Sequence, residues 1–367
     1  MSNFELKFTL KQHTPMIHFQ SDQKGATLRA TELKPKLDRF LVKYAFNDDF
    51  EKYKTFLIGY ESLKKQKKRE LIKKDFEGKL AFDYRVNIEN IGQIKKSLPN
   101  NFLYFANNPL EEHEKKCMVT SSNIHLTIFT FKSSLCSTIK KYFDDFLLIT
   151  NFGARSTKGY GSFTHNQENV EQRLKKYRDI VFRLSTTVNE QNWEQNVDST
   201  HKKLKAGLNP KANKGQHYKS LLFRYMCEKE GNLRWEKRKI KQKFPNVMGA
   251  NDKKPIDCSV IDDKKFRYVR AMLGVAEINE YDKGKKTVKI SSDEVARFAS
   301  PIVYKVIGNS IYLLGDDSYR QIMDKKFKFS FGRDDFSIQT PSETEFNLHD
   351  FLRYVEKNET LINEVKI

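Results

Sequence analysis

The sequence predicts an α+β fold built as two ferredoxin-like, RRM-like domains with helical insertions. Three observations carry this. Phe4, Leu6, Phe8 and Leu10 alternate with polar residues, as do residues 123–131, which is the period of strands with one buried face. Apolar stripes at helical spacing follow each of these runs, so the chain to residue 167 reads strand, helix, strands, helix, strand, the order of a ferredoxin-like unit. From about Glu168 the composition shifts to long charged segments, and a new strand opens at Val181. The boundaries read from this are 1–167 and 168–367, the second half repeating the first in a degraded form.

In the first half, Pro15 ends the opening strand, and Pro35 fits the first position of a helix running to about Phe46. Leu37, Phe40, Leu41 and Tyr44 form its apolar stripe, while Lys36, Arg39 and Lys43 share another face. Residues 49–74 read as a second helical stretch that ends in a basic run at 64–69. Strands are expected at 80–86, at 102–105 and at 123–131, then a helix over 135–149, a glycine-rich loop at 153–163 and a last strand.

In the second half, helices are expected at 190–204 and 216–229. The segment 234–243 is strongly basic. Trp235 within it reads as a residue pinning a helix to the core, with Arg224, Arg234, Lys237, Arg238 and Lys241 as a possible second cationic surface. Residues 246–263 read as a loop, 297–307 as a strand, Gly308-Asn309 as a hairpin turn, and 346–362 as a closing helix.

Composition narrows the function. The chain of 367 residues carries 67 Lys and Arg against 47 Asp and Glu, a net charge of +20, which favours a polyanionic partner. With 28 Phe and 16 Tyr available for stacking, single-stranded nucleic acid leads. No apolar run reaches the ~18 residues a membrane span needs, and the first residues lack the apolar core of a signal peptide, so a cytoplasmic location is expected. Cys117, Cys136, Cys227 and Cys258 are scattered, with no C-x-x-C pair, and read as thiols. No metal site or cofactor is expected.

The most informative stretch is Phe152-Gly153-Ala154-Arg155-Ser156-Thr157-Lys158-Gly159-Tyr160-Gly161-Ser162-Phe163. Its glycines allow a close backbone approach to an anion, and Arg155 and Lys158 add charge. It lies between a helix and a strand and has no Gly-Lys-Ser/Thr, so it is not the phosphate loop of nucleotide-binding enzymes. The dinucleotide pattern fails too, since Gly159-Tyr160-Gly161 is followed by Ser162, Phe163 and Thr164.

This loop resembles the signature loop of the RAMP superfamily of CRISPR-associated RNA-binding proteins. Thr14-Pro15, the basic helix from Leu28 to Leu41, and Arg297-Phe298-Ala299-Ser300-Pro301-Ile302-Val303 are similar to further motifs of that superfamily, in particular of the first-numbered Cmr subunit of type III-B effectors. The resemblance implies a non-catalytic subunit that contacts the 3′ part of a guide RNA, helps capture target RNA and assembles with other Cmr subunits. Carried onto this sequence, Arg155, Ser156, Thr157 and Lys158 would hold RNA phosphates by their side chains, and Gly159, Tyr160, Gly161 and Ser162 by their amides. Tyr160 would stack or pack behind them, and Lys36 and Arg39 would extend the surface.

The alternative is a metal-independent endoribonuclease that processes repeat RNA. Such cleavage needs a base for the 2′-hydroxyl proton and cations for the phosphorane. His13, His18 and Lys158 are the candidates, while His201 and His217 fall in charged helical regions. The acidic pairs, such as Asp144-Asp145 and Asp316-Asp317, read as turns or caps rather than metal ligands.

Overall fold

The computed structural model describes residues 4–17, 27–76, 78, 80–97, 117–208, 218–230, 234–247, 266–276, 278–281, 286–295 and 298–366. The architecture is mixed α+β. In the first half β1 (Glu5–Gln12), α1 (Ala30–Phe40), β2 (Arg85–Asn90), β3 (Ile124–Phe129), α2 (Ser133–Ile149) and β4 (Phe163–Thr164) follow one another. Their strands form an antiparallel sheet of order β2-β3-β1-β4. The alternation in β1 turns Phe8 and Leu10 inward and leaves Lys7, Thr9 and Lys11 exposed. Phe8 meets Phe143 of α2 at 4.1 Å between ring centres, and Ile139, Phe143 and Phe146 of that helix are fully buried.

Several boundaries differ from the sequence reading. Helix α1 starts at Ala30, so Pro35 lies inside it rather than at its first position. A proline there removes one helical hydrogen bond. The helix tolerates it because Leu33, Leu37 and Phe40 bury one whole face. A wide turn follows at Leu41–Ala45, closed by Phe46 N–H to the Leu41 carbonyl at 3.0 Å. Residues 49–74 form short helices at Phe50–Tyr53, Lys54–Phe56 and Tyr60–Lys67, with another short turn at Lys73–Phe76, in place of one helical stretch. Left-handed Gly59 and Lys68 bound the longest of these. The strand expected at 80–86 begins only at Arg85, and the one at 102–105 lies outside the described residues.

The second half runs β5 (Ile180–Leu184), α3 (Trp193–Lys205), β6 (Ile302–Ile307), β7 (Ser310–Gly315), α4 (Leu348–Asn358) and β8 (Ile362–Glu364). Its antiparallel sheet has the order β6-β7-β5-β8. The closing helix stops at Asn358, because Ile362 is buried as a strand residue opposite Leu184. Val181 and Leu314 pack into the core of the first half, while Phe182 and Leu313 pack into that of the second. A sheet covered on both faces explains the unbroken apolar runs Ile180-Val181-Phe182 and Ile311-Tyr312-Leu313-Leu314.

A six-stranded sheet is inserted in this half, with strands that include Lys286–Ser291, Lys326–Phe331 and Asp334–Gln339. It was not foreseen, although Phe327, Phe329, Phe336 and Ile338 alternate along it and are buried. In the basic segment Trp235 is buried 4.9 Å from the Phe223 ring, and the fully buried Glu236 carboxylate takes bonds from Trp235, Arg270 and the Val269 amide. Trp235 therefore pins the helix Glu236–Lys243 to the core. Cys227 is disulfide-bonded, which corrects its reading as a thiol. Among the described residues, no helix is long and apolar enough to cross a membrane.

Candidate nucleic-acid interface

The glycine loop is the meeting point of three distant pieces of chain. The Thr14 hydroxyl, buried under it, donates to the Gly159 carbonyl at 2.6 Å and accepts from the Ser162 amide at 3.0 Å. The carbonyls of Pro15 and Ile17 accept from the amides of Gly161 and Ala154, at 2.9 and 2.8 Å. From the other side, β6 receives the loop: the Tyr304 amide donates to the Thr157 carbonyl at 3.0 Å, and the Ser162 hydroxyl donates to the Val306 carbonyl at 2.6 Å. The Thr-Pro motif, the loop and the strand after Ser300-Pro301 are thus one assembly.

Two glycines are dictated by this closeness. A Cβ at Gly161 would lie 1.9 Å from the Phe152 carbonyl oxygen, and one at Gly153 2.5 Å from that of Ile17, with both residues at positive φ. The same closeness corrects one expectation. The amides of Gly159, Gly161 and Ser162 do not form a phosphate cradle, because each is bonded within the fold, to Ser156, Pro15 and Thr14 respectively. Ser156 and Thr157 likewise use their carbonyls to hold Asn151 and Tyr304. Tyr160 is buried behind the loop, its hydroxyl donating to Glu194 at 2.6 Å and its ring edge-on to Trp193 at 4.9 Å.

What the loop presents is cationic side chains. Arg155, held at a left-handed φ of 56°, lies over the Tyr160 ring at 5.7 Å. Lys158 is half-buried, 5.8 Å from the centre of the Tyr304 ring. Burial, and then the nearby Lys205 and Arg155, push the Lys158 ammonium well below its ordinary value, while Asp198 acts in the opposite sense. Helix α3 supplies the rest. Lys205 donates to the Gly274 carbonyl at 2.6 Å and is lowered to about 8 by burial and by Arg270. His201, 3.4 Å from the Tyr304 hydroxyl, is held neutral by burial and by Lys158, Lys205 and Arg155. The charges of Lys205 and Arg155 thus bear on both Lys158 and His201, with Asp198 as the counter-charge beside Lys158.

The remaining candidates lie elsewhere. Lys36 donates to Glu32 at 2.8 Å and to the Asn151 carbonyl at 2.9 Å, while Glu32 accepts the Gly153 amide at 2.7 Å, so this pair anchors the entrance of the loop. Arg39 lines a separate hollow that no loop residue enters. His13 bridges the halves: one ring nitrogen is 2.8 Å from the Thr164 hydroxyl and the other accepts the Gly308 amide at 3.2 Å. Burial, with Lys305 and Lys11 adding to it, lowers His13 to about 3. Lys305, fully buried, reaches from β6 to the carbonyls of Leu147, Thr150 and Phe163 at 2.7, 2.9 and 3.2 Å. His18 and His217 lie outside the described residues.

Sequence reasoning missed the contribution of α3. Its helical spacing puts His201 and Lys205 one turn apart, but only the packing against β6 brings that face to the loop.

A family model described as the Cmr1 N-terminal domain matches residues 3–208, and one described as the Cmr1 C-terminal domain matches residues 217–366. The chain belongs to the Cmr1 family. No curated protein matches it. Among solved structures, Cmr1 from Pyrococcus furiosus in the apo form is similar at 10% identity and a TM-score of 0.40, over 99% of this chain and 98% of that one. A chain of the type III-B Cmr-beta complex bound to cognate target RNA is similar at 12% identity and a TM-score of 0.27, over 45% of this chain and 59% of that one. The Cmr1 assignment rests on the family models, which between them take in both halves and all three motifs around the loop.

Proposed function

We propose that this Cmr1-family chain is a non-catalytic RNA-binding subunit of a type III-B CRISPR ribonucleoprotein in the cytoplasm. In this reading it holds the 3′ part of the guide RNA, helps capture target RNA for antiviral defence, and docks with other Cmr subunits. The observation that carries it is the pair Arg155 and Lys158, set over the Tyr160 and Tyr304 rings on a loop that Thr14 and β6 hold from both sides. Phosphate contacts by such cations give affinity without reading sequence, which suits a protein whose specificity is delegated to base pairing.

In the same reading each half is a ferredoxin-like RAMP domain, divided near residue 167. The strand orders β2-β3-β1-β4 and β6-β7-β5-β8 support this, since both place the first strand between the third and the fourth. The test is the RNA and protein that co-purify with the tagged chain from its native host. A short guide RNA with a common repeat-derived tag, together with other Cmr subunits, is the expected result. Free protein without RNA would contradict it.

The second reading is a metal-independent endoribonuclease, which needs a base whose pKa lies near the working pH; burial and the neighbouring cations pull His201 well below that range. That reading requires cutting of repeat RNA without metal, abolished by His18→Ala. The non-catalytic reading requires intact RNA after single-turnover incubation.

A further inference from the structure

The large hydrophobic side chains that stay exposed among the described residues are not scattered. Phe4, Ile58, Ile72, Leu80 and Phe131 belong to one end of the first half, while Ile91 lies apart, past the far end of β2. Backbone bonds hold their segments side by side. The Thr130 amide donates to the Phe4 carbonyl at 3.0 Å, the Asp83 amide to that of Phe56 at 2.8 Å, and the Ile58 amide to that of Ala81 at 2.9 Å. The Thr130 hydroxyl donates to the Asp83 carbonyl at 2.7 Å, and Lys132 donates to the Thr55 carbonyl. Phe131 is 82% exposed, with the Phe129 ring edge-on to it at 4.8 Å. Ile72 stands on a neighbouring turn, which Lys54 ties to this end through Glu70 at 3.1 Å. A single exposed apolar side chain is ordinary, but several on adjoining segments mark an interaction surface.

The rim of this surface is cationic, because its acids are already taken. Asp75 folds the basic run back on itself, accepting from Lys67, from Arg69 at 2.7 and 3.0 Å, and from the Ile72 amide at 2.9 Å. Glu70 is held by Lys54 and Lys64, Glu51 by Lys54, Asp49 by Lys52 and Glu5 by Lys7. Asp48 lies in the hollow with Arg39 and Lys43. Lys65, Lys68, Lys73 and Lys74 are left exposed, and so is Arg85, which stands opposite Phe129 in the sheet. Among the described residues these five cations have no carboxylate partner, and the exposed acids left beside them are two, Glu61 and Asp83.

We propose that this end docks a second protein chain, one whose face joins apolar side chains to a rim of carboxylates. Burial of Phe131, Ile58 and Leu80 supplies the affinity, and Lys68, Lys73, Lys74 and Arg85 meet the carboxylates. Nucleic acid fits less well, because Ile58, Ile72 and Leu80 have no flat face on which a base stacks. A second copy of this chain also fits less well, since at a net charge of +20 it sets cations against cations. The proposal rests on the reading that the chain docks with other subunits, and it assigns that contact to a surface apart from the glycine loop.

The test takes the complex that co-purifies with the tagged full chain, couples touching amines and carboxylates with a zero-length carbodiimide, and maps the links by mass spectrometry. Links from Lys68, Lys73 or Lys74 to Asp or Glu of another protein are expected. Phe131→Glu with Ile58→Glu, both at exposed positions, should lower the amount of that protein per tagged chain at least about ten-fold, as loss of interface anchors does. Lys68→Glu with Lys73→Glu and Lys74→Glu should do the same. The first variant should leave the melting temperature and the RNA affinity of the purified chain as they were. Links confined to carboxylates of this chain, or partner amounts that both variants leave unchanged, overturn the surface and leave the docking reading standing. Links to a second copy assign the surface to self-association, and a loss of RNA affinity in the Phe131, Ile58 variant assigns it to nucleic acid; either overturns the proposal. A tagged chain that carries no other protein overturns the docking reading and this proposal together.

Discussion

Thr14 and Gly159, 145 residues apart in the chain, are joined by a buried hydrogen bond of 2.6 Å from hydroxyl to carbonyl. The same hydroxyl accepts the Ser162 amide, so one side chain fixes both ends of the turn that carries Tyr160 and Gly161, directly after Lys158. Thr14→Val keeps the shape and removes both bonds. It should cost about 3 kcal/mol, since a buried carbonyl and a buried amide each lose a partner. Urea denaturation measures this, and a loss under about 0.5 kcal/mol would show that the clamp is dispensable.

Gly161→Ala and Gly59→Ala separate two causes of glycine. Both positions have positive φ, 65° and 78°, but a Cβ at Gly161 meets the Phe152 carbonyl at 1.9 Å whereas at Gly59 it meets nothing within 4 Å. Gly59→Ala should therefore cost only the left-handed penalty of about 1 kcal/mol. Gly161→Ala should cost at least about 3 kcal/mol by overpacking. Equal melting temperatures for the two variants would contradict the described loop geometry.

His13 makes a pH prediction with a definite sign. In the unfolded chain its imidazole takes a proton near pH 6.5, but in the fold only at about 3. Between those values the unfolded state binds more protons, so stability falls as pH drops through this window, by at most about 1.4 kcal/mol per pH unit. His13→Gln should flatten that fall. Denaturation midpoints at pH 4, 5, 6 and 7 check it, and parallel curves for the two proteins would refute it.

Much of the loop was legible in the sequence, because glycine, hydroxyl and cation crowd one short stretch there. Their partition was not legible. Sequence spacing cannot tell an amide that faces solvent from one bonded to Pro15 or Ser156, and Lys36 looks the same whether it meets phosphate or Glu32. His201 and Lys205 were hidden for a related reason: nothing local marks them, and only the contact of α3 with Tyr304 places them at the loop. In the fold, the alternating strands of the first half were clear, whereas β8 follows its helix so closely that its first residue, Ile362, reads as the end of that helix.

The most direct measurement is a salt titration of RNA binding by the unaltered protein and by the Arg155→Ala, Lys158→Ala variant. If these cations neutralise phosphates, the variant should bind all sequences more weakly and its slope of log affinity against log salt should flatten by up to about two units. An unchanged slope would contradict the assignment of the loop as the RNA contact.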